Sequence, residues 1–261
     1  MTRWRLFDTG AHDGAWNMAC DLALMERARR TGESVFRVYA WSRPTLSFGR
    51  HELARRQYDA QALRAAGIDV VRRPTGGRAL LHDHEVTYSI TAPVVPGETL
   101  AESVHRFNAL LLHALHALGV PAITATSPRT LRPEGAACFA VPAPGELTLG
   151  GRKLVGSAQV RREGALLQHG SILLDDDQGR IAAFATGPYL ASADAASLHE
   201  ALGDAATYET VCAALLRAAG GGADDGMMAE LVLPMDESAF DRRVLDDALA
   251  HFRDDAWTWR R

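Results

Sequence analysis

Residues 146–162, ELTLGGRKLVGSAQVRR, constrain the fold more than any other stretch of this chain. Two runs of strand-forming residues flank the pair Gly150-Gly151. A two-residue glycine turn suits the primed hairpin turns, whose central positions take positive φ angles that glycine adopts without strain. Two antiparallel strands must therefore lie side by side here. FRVYAW (36–41), EVTYSITA (85–92) and ALLQHGSILL (165–174) read as further strands. Between them run helical patterns. The spacing predicts a helix from about Asn17 to Arg30 with Met18, Leu22 and Met25 on one face, and a second over 53–66 that stops at Gly67. A third covers 100–118: Thr99 and Glu102 form a capping-box pattern, Leu100, Val104, Phe107, Leu111 and Leu118 make the apolar stripe, and Gly119 ends it. Two more are expected over 207–219 and 237–253. The stretch from about 200 onward reads as a helical extension of a single domain spanning 1–261, with GGGADDG (220–226) as an exposed loop.

The hairpin carries the chain's only lysine, Lys153; the other 27 of its 28 basic residues (28 − 1) are arginine. Arginine is a wide planar fork that stays charged, whereas lysine is a compact point charge whose pKa moves readily and which fits against a reacting atom. A position that keeps lysine where every other cation is arginine reads as a chemical site, the other reading being one lysine left by chance in an arginine-favouring sequence. Strand alternation puts Gly151 and Val155 on its face, leaving open space around the ammonium, with Arg152 and Leu154 facing the other way.

Other candidates lie nearby. RRPTGGRALLH (72–82) sets Gly76-Gly77 beside Arg72, Arg73 and Arg78. Glycines let a backbone approach a ligand and present its N–H groups, and the arginines add donors, so an anionic or carbonyl-bearing group fits there; a plain turn is the other reading. Gly156-Ser157-Ala158 either makes room for an extended ligand or marks a bulge. His169, in QHGS (168–171), is either a satisfied core histidine or a base. Cys20 and Cys212 sit at small apolar helix positions of the kind that hold inert thiols. Cys138 lies in the irregular stretch GAACFAVPAPGE just before the hairpin, where a nearby ammonium favours the nucleophilic thiolate and simple packing is the alternative. Three cysteines without metal-type spacing fit free thiols in a reducing compartment and give no zinc site.

At 261 residues and 47% hydrophobic, the chain can bury one large core. A net charge of −4 and dispersed arginines argue against nucleic acid as the main partner. MTRWRLFDTG has neither the apolar core nor the cleavage site of a signal peptide, and no apolar run approaches the roughly 18 residues of a membrane span, so a cytoplasmic location without membrane contact is expected. Walker-type and Rossmann-type glycine patterns are absent.

Taken together, WRLFDTG, NMACDLALMER, FRVYAWSRPTLSFGRHE, RRPTGGRALLHDHEVTYS, ACFAVP, GGRKLVGSAQVRREGALLQHGSILL and DDAWTWRR resemble, in order and along the length of the chain, the lipoate and biotin protein ligase superfamily. The similarity is to its octanoyltransferase branch, related to lipoate–protein ligase A. AVPAPGE departs from the pattern in lacking the Ser and Tyr expected after the proline. The resemblance implies an α/β (α+β) fold of the biotin/lipoate ligase catalytic-domain type, class II synthetase-like, with a mostly antiparallel sheet packed by helices. It also assigns roles. Lys153 resembles the lysine that contacts the acyl carbonyl. Arg73, Thr75, Gly76, Gly77, Arg78 and His82 resemble a loop lining the acyl pocket, and Gly156, Ser157, Ala158, Gln159, His169 and Gly170 its further walls. A cysteine at position 138, and TGGR rather than TGGG, are similar to the transferase and not to the ATP-using ligases.

The implied reaction has two steps: Cys138 takes octanoyl from octanoyl-acyl carrier protein as a thioester, and a lysine of a lipoyl carrier domain then takes it as an amide. The acceptor is of the glycine cleavage H protein or dehydrogenase E2 kind. No metal or cofactor is expected, and no ATP. Arg72, Arg73, Arg161 and Arg162 are candidates for docking these partners, or else solvated surface. Rival readings are an ATP-dependent lipoate–protein ligase, an octanoyl amidotransferase between carrier domains, and a non-catalytic acyl-binding protein. Biotin ligation is disfavoured, since no GRGRxGR-type loop occurs.

Overall fold

In the computed structural model Gly150 and Gly151 take φ angles of 57° and 78° and fold Leu147–Leu149 back against Arg152–Arg162, the hairpin that the glycine pair requires. The structure describes residues 4–126, 139, 142, 145–187, 195–220, 229–231 and 241–260, the side chains of 229–231 excepted. In chain order the strands are β1 (Trp4–His12), β2 (Ser34–Trp41), β3 (Thr45–Phe48), β4 (Asp69–Arg72), β5 (Leu80–His82), β6 (Glu85–Pro93), β7 (Ile123–Thr124), β8 (Leu147–Leu149), β9 (Arg152–Arg162), β10 (Ala165–Leu173) and β11 (Ala229–Leu231). The α-helices are α1 (Gly14–Thr31), α2 (Ala54–Gln57), α3 (Ala60–Ala65), α4 (Leu100–Ala117), α5 (His199–Leu202), α6 (Tyr208–Gly220), α7 (Arg242–Arg253) and α8 (Asp255–Thr258).

The main sheet has the order β11-β1-β2-β6-β10-β9-β8-β7. It is parallel where β11, β1 and β2 meet and antiparallel from β2 onward. Alternation divides its side chains between two cores. Phe36, Val38, Tyr88 and Ile90 face α4 and α6 through Phe107, Leu111, Leu115, Val211 and Leu215. Val35, Tyr39 and Leu167 face α1 through Leu24, Met18 and Met25, and α7 packs on α1 with Phe252. A second sheet, β4-β3-β5, lies beside the first and carries the glycine loop between β4 and β5.

Four differences from the sequence reading have local causes. The helix expected over 53–66 is two short ones, because Tyr58 is extended (φ −135°, ψ 141°), bridges Ala185, and leaves Asp59 to cap α3 through Gln61 N and Ala62 N. Leu100 is 52% exposed instead of joining the stripe: Thr99 is the N-cap, so Leu100 opens the first turn over solvent, and the buried face runs through Phe107, Leu111 and Leu115. Lys153 does not share a face with Val155. Thr148 pairs with Lys153 and Leu147 with Val155, so Leu154 is an extra residue on β9, and this bulge breaks the alternation. Leu154 and Val155 both enter the α4–α6 core. Finally, the stretch after 200 adds a strand, β11, to its helices. Residues 221–226 of the expected loop and 237–240 of the last expected helix lie outside the described residues.

The capping box at α4 is complete: Thr99 Oγ1 accepts from Glu102 N, and Glu102 Oε2 accepts from Thr99 N. Thr99→Ala is expected to lower the unfolding free energy by about 1 kcal/mol in urea titrations, whereas Leu100→Ala changes it by less than about 0.5 kcal/mol.

Candidate active site

Small residues on adjacent strands open a cavity in the main sheet. β9 and β10 pair Gly156 with Ser171, Ser157 with Gly170 and Ala158 with His169, so little side-chain volume fills the sheet at this point. A Cβ on Gly170 would lie 2.6 Å from the Gly156 carbonyl oxygen and 2.8 Å from the Tyr88 ring. The cavity together with the open solvent space at its mouth measures about 530 Å³. Lys153, Glu146, Ser157, His169, His82 and Gly77 stand on its wall beside the apolar Met18, Trp41 and Leu80.

Lys153 is 1% exposed. An isolated ammonium so deeply enclosed would cost several kcal/mol. Its Nζ is answered by Glu146 Oε1 at 2.8 Å and by the face of Phe139, whose centroid is 5.1 Å away. Gly156 makes the ring's position possible, because a Cβ there would lie 2.9 Å from Phe139 Cζ. Cys138 itself lies outside the described residues; in the sequence it is bonded to Phe139, the residue held against Lys153.

The glycine loop forms another wall. Arg73 clamps it from within, donating to the carbonyls of Ser47 (3.0 Å), Gly76 (3.0 Å) and Arg78 (2.7 Å). The loop packs against the end of β3 so closely that a Cβ on Gly49 would lie 1.9 Å from the Gly77 oxygen. Arg72, fully buried, donates to the carbonyls of Gly49 (2.7 Å), Glu52 (2.9 Å) and Thr258 (3.0 Å), and its own carbonyl accepts from Trp257 Nε1 at 2.8 Å. The DAWT turn of α8 thereby braces the loop.

Two buried histidines face the cavity. His169 Nδ1 donates to Asp21 Oδ2 (3.0 Å), which leaves Nε2 to accept from the Thr75 hydroxyl (2.7 Å). Asp21 also accepts from Arg37 Nη1 at 2.9 Å, and Arg37 donates to Asn17 Oδ1 and stacks 3.8 Å from the Tyr39 ring centroid. Burial pushes the His169 imidazole below its ordinary 6.5, against the pull of Asp21. Burial pushes the Asp21 carboxyl up, but the His169 hydrogen bond and the Arg37 charge outweigh it and hold the carboxyl below 3.8. His82 lies between Glu85 Oε1 (2.7 Å) and Ser47 Oγ (2.8 Å), with Trp41 stacked 3.9 Å above it.

Of the residues singled out from sequence, Lys153, Arg73, Gly77, His82, Gly156, Ser157, Ala158, His169 and Gly170 meet around one cavity. Thr75 stands behind it on His169. Gly76, Arg78 and Gln159 are off the wall: Arg78 offers only a carbonyl to Arg73, and Gln159 bonds Gln168 and Ser103. The expectation that Arg72 and Arg73 dock a partner is overturned, since backbone carbonyls occupy both guanidiniums inside the protein. Arg161 donates to the carbonyls of Glu98 and Thr99, and only Arg162 of that group is exposed. Sequence reasoning missed Asp21, Arg37, Glu85, Glu146 and Trp41. Asp21, a charged residue within the apolar pattern of α1, was the one detectable signal. Asp83, His84 and Asp177 bring possible metal-donor atoms within 4.8 Å of one another, but Arg180 already donates to both carboxylates, at 2.6 and 3.4 Å. Burial, with Asp83 adding, pushes Asp177 up to about 6. Among the described residues, no helix is long and apolar enough to cross a membrane.

A family model described as the lipoyl protein ligase A/B catalytic domain matches residues 13–220, most of the chain. The chain belongs to this family. Across an alignment of 280 positions that covers 100% of both chains, it is 38% identical to a protein of Kyrpidia tusciae named octanoyltransferase LipM. A Moorella thermoacetica protein of the same name is 46% identical over 178 residues, covering 66% of this chain and 65% of the relative. The crystal structure of lipoate-protein ligase A bound with ATP superposes with a TM-score of 0.79 at 19% identity, covering 99% of this chain and 98% of that one. The lipoyl protein ligase fold is thus the α/β architecture described above, with its mostly antiparallel sheet.

In this member of the lipoyl protein ligase family the buried histidine makes stability depend on pH. Between its lowered native value and 6.5 the unfolded chain binds more protons at His169 than the native chain does, so stability rises with pH through that window. The urea midpoint is expected to fall as pH drops from about 7.5 to about 5.5, and His169→Gln to flatten that slope.

Proposed function

We propose that this acyltransferase moves an octanoyl group from acyl carrier protein to a lysine of a lipoyl carrier domain by way of a thioester on Cys138. What carries the reading is the setting of Lys153: a buried, paired ammonium on a cavity wall, against the ring of the residue bonded to Cys138. In the first step the Cys138 thiolate attacks the donor's carbonyl carbon. A carbon–sulfur bond to Cys138 forms, the bond to the pantetheine sulfur breaks, and that sulfur leaves as a thiolate that takes a proton. In the second, the neutral amine of the acceptor lysine attacks the octanoyl-enzyme. A carbon–nitrogen bond forms, the bond to Cys138 breaks, and the amine's surplus proton is released as the thiolate is restored. Each step passes through a tetrahedral oxyanion, and the Lys153 ammonium is the donor that stabilises it. Exchange of one thioester for another is nearly isoenergetic and amide formation is downhill, so no nucleotide is consumed. The acyl tail lies along Met18, Trp41 and Leu80, where each buried methylene contributes about 0.8 kcal/mol.

The other thiols are unsuited to the chemistry: burial pushes Cys20 and Cys212 up to about 12, and the second also faces Asp8. Iodoacetamide at about pH 8 is therefore expected to label native protein at Cys138 and to spare Cys20 and Cys212, as read by peptide mapping. Incubation with octanoyl-acyl carrier protein, without ATP, is expected to add one octanoyl group in intact mass spectra, to be lost in Cys138→Ser, and to pass it to an added carrier domain. Lys153→Arg is expected to lower the transfer rate on the order of 10²–10³-fold. Modification of the carrier domain only with ATP and free lipoate overturns the reading in favour of a ligase.

A further inference from the structure

Most arginines whose side chains the structure describes are engaged. Arg27, Arg37, Arg106, Arg152 and Arg180 each pair with a carboxylate, and Arg72 and Arg73 are spent on backbone carbonyls. One group differs. Arg50 and Arg78 are half-buried and Arg55 and Arg56 exposed, and none of their guanidiniums has an acidic partner among the described residues. Arg50 N bonds the Thr75 carbonyl at 2.8 Å and Ala79 N bonds Glu52 Oε1 at 3.0 Å, so segment 49–56 and the glycine loop are one surface. Glu52 does not cancel the charge pairwise, because its carboxylate is turned inward to Gly49 N, Ala79 N and the Tyr58 hydroxyl. Between the cations Leu53 is 45% exposed. Gly77, bonded to Arg78, is itself on the wall of the cavity. A positive face with an apolar centre, in a chain of net charge −4, adjoins the mouth.

We propose that Leu53, Arg50, Arg55, Arg56 and Arg78 form the landing surface for the acidic carrier protein that delivers the acyl group. An exposed apolar side chain on a surface that also carries cations without acidic partners suits a transient protein interface, and opposite charge across it raises the rate of encounter. The face lies beside the mouth, which fits a donor whose acyl group rides on a long flexible arm. An acceptor lysine, on its own domain's surface, must come over the mouth itself. The proposal rests on the transfer reaction above.

The test compares wild type with Arg55→Glu/Arg56→Glu and with Leu53→Ser, using two donors: octanoyl-acyl carrier protein and the small thioester octanoyl-N-acetylcysteamine. The double variant is expected to raise KM for the protein donor on the order of tenfold with kcat little changed, and to lose the wild type's decline in kcat/KM with added salt. Turnover of the small thioester stays at the wild-type rate. An unchanged KM for the protein donor, equal losses on both donors, or a raised KM for the acceptor domain in place of the donor overturns the proposal; so does duplex DNA that binds wild type and competes with the donor. Should wild type form no octanoyl adduct from either donor, the transfer reading fails by itself. Binding of fluorescently labelled acyl carrier protein, weakened on the order of tenfold in the double variant, then still decides the surface.

Discussion

A positive charge shut away from water has to be answered from nearby, and the site is arranged around the answer given to Lys153. Glu146 arrives from the segment before the hairpin, Phe139 lays its ring alongside, and Gly156 withholds a side chain so that the ring can come that close. Each partner is narrow, as suits a one-atom cation; a planar guanidinium needs a fork of acceptors in a plane. The ammonium is thereby fixed in place, the condition under which a donor stabilises developing negative charge without first having to reorganise.

Around this pair the supports converge from distant parts of the chain. His169 reaches Thr75 in the glycine loop and Asp21 on α1, so a helix near the start holds a loop across the sheet. Arg72 ties the same loop to α8 at the other end of the described chain. The cavity wall is accordingly a joint product of both ends of the sequence, which explains why NMACD and DAWT accompany the loop motif although neither stands at the reacting atoms.

What was legible in the sequence was what is local. The Gly-Gly hairpin turn, the Thr99–Glu102 box and the small residues of GSA declare themselves within a few positions, because their physics is that of neighbouring dihedrals and short contacts. The lysine stood out only because arginine fills every other basic position. Long-range partners left no periodic trace: Asp21 meets His169 across 148 positions, and Thr87 meets Trp41 across 46. Strands β3, β4 and β5 are too short for alternation to show. Charge was also misread as exposure, for Arg72 and Arg73 are interior braces whose carbonyl partners only the fold assembles.

The extra residue at Leu154 has a wider meaning. Because side chains on a strand swap faces at every step, that one supernumerary position is what lets the ammonium look into the hollow while the strand beyond it still presents Gly156 to the same hollow. A change in the number of residues along this edge, unlike a change in the identity of one of them, would turn the cation toward the oily interior beneath α4. The number of residues between the turn and the glycine therefore sets the site's geometry more strongly than the identity of most of them.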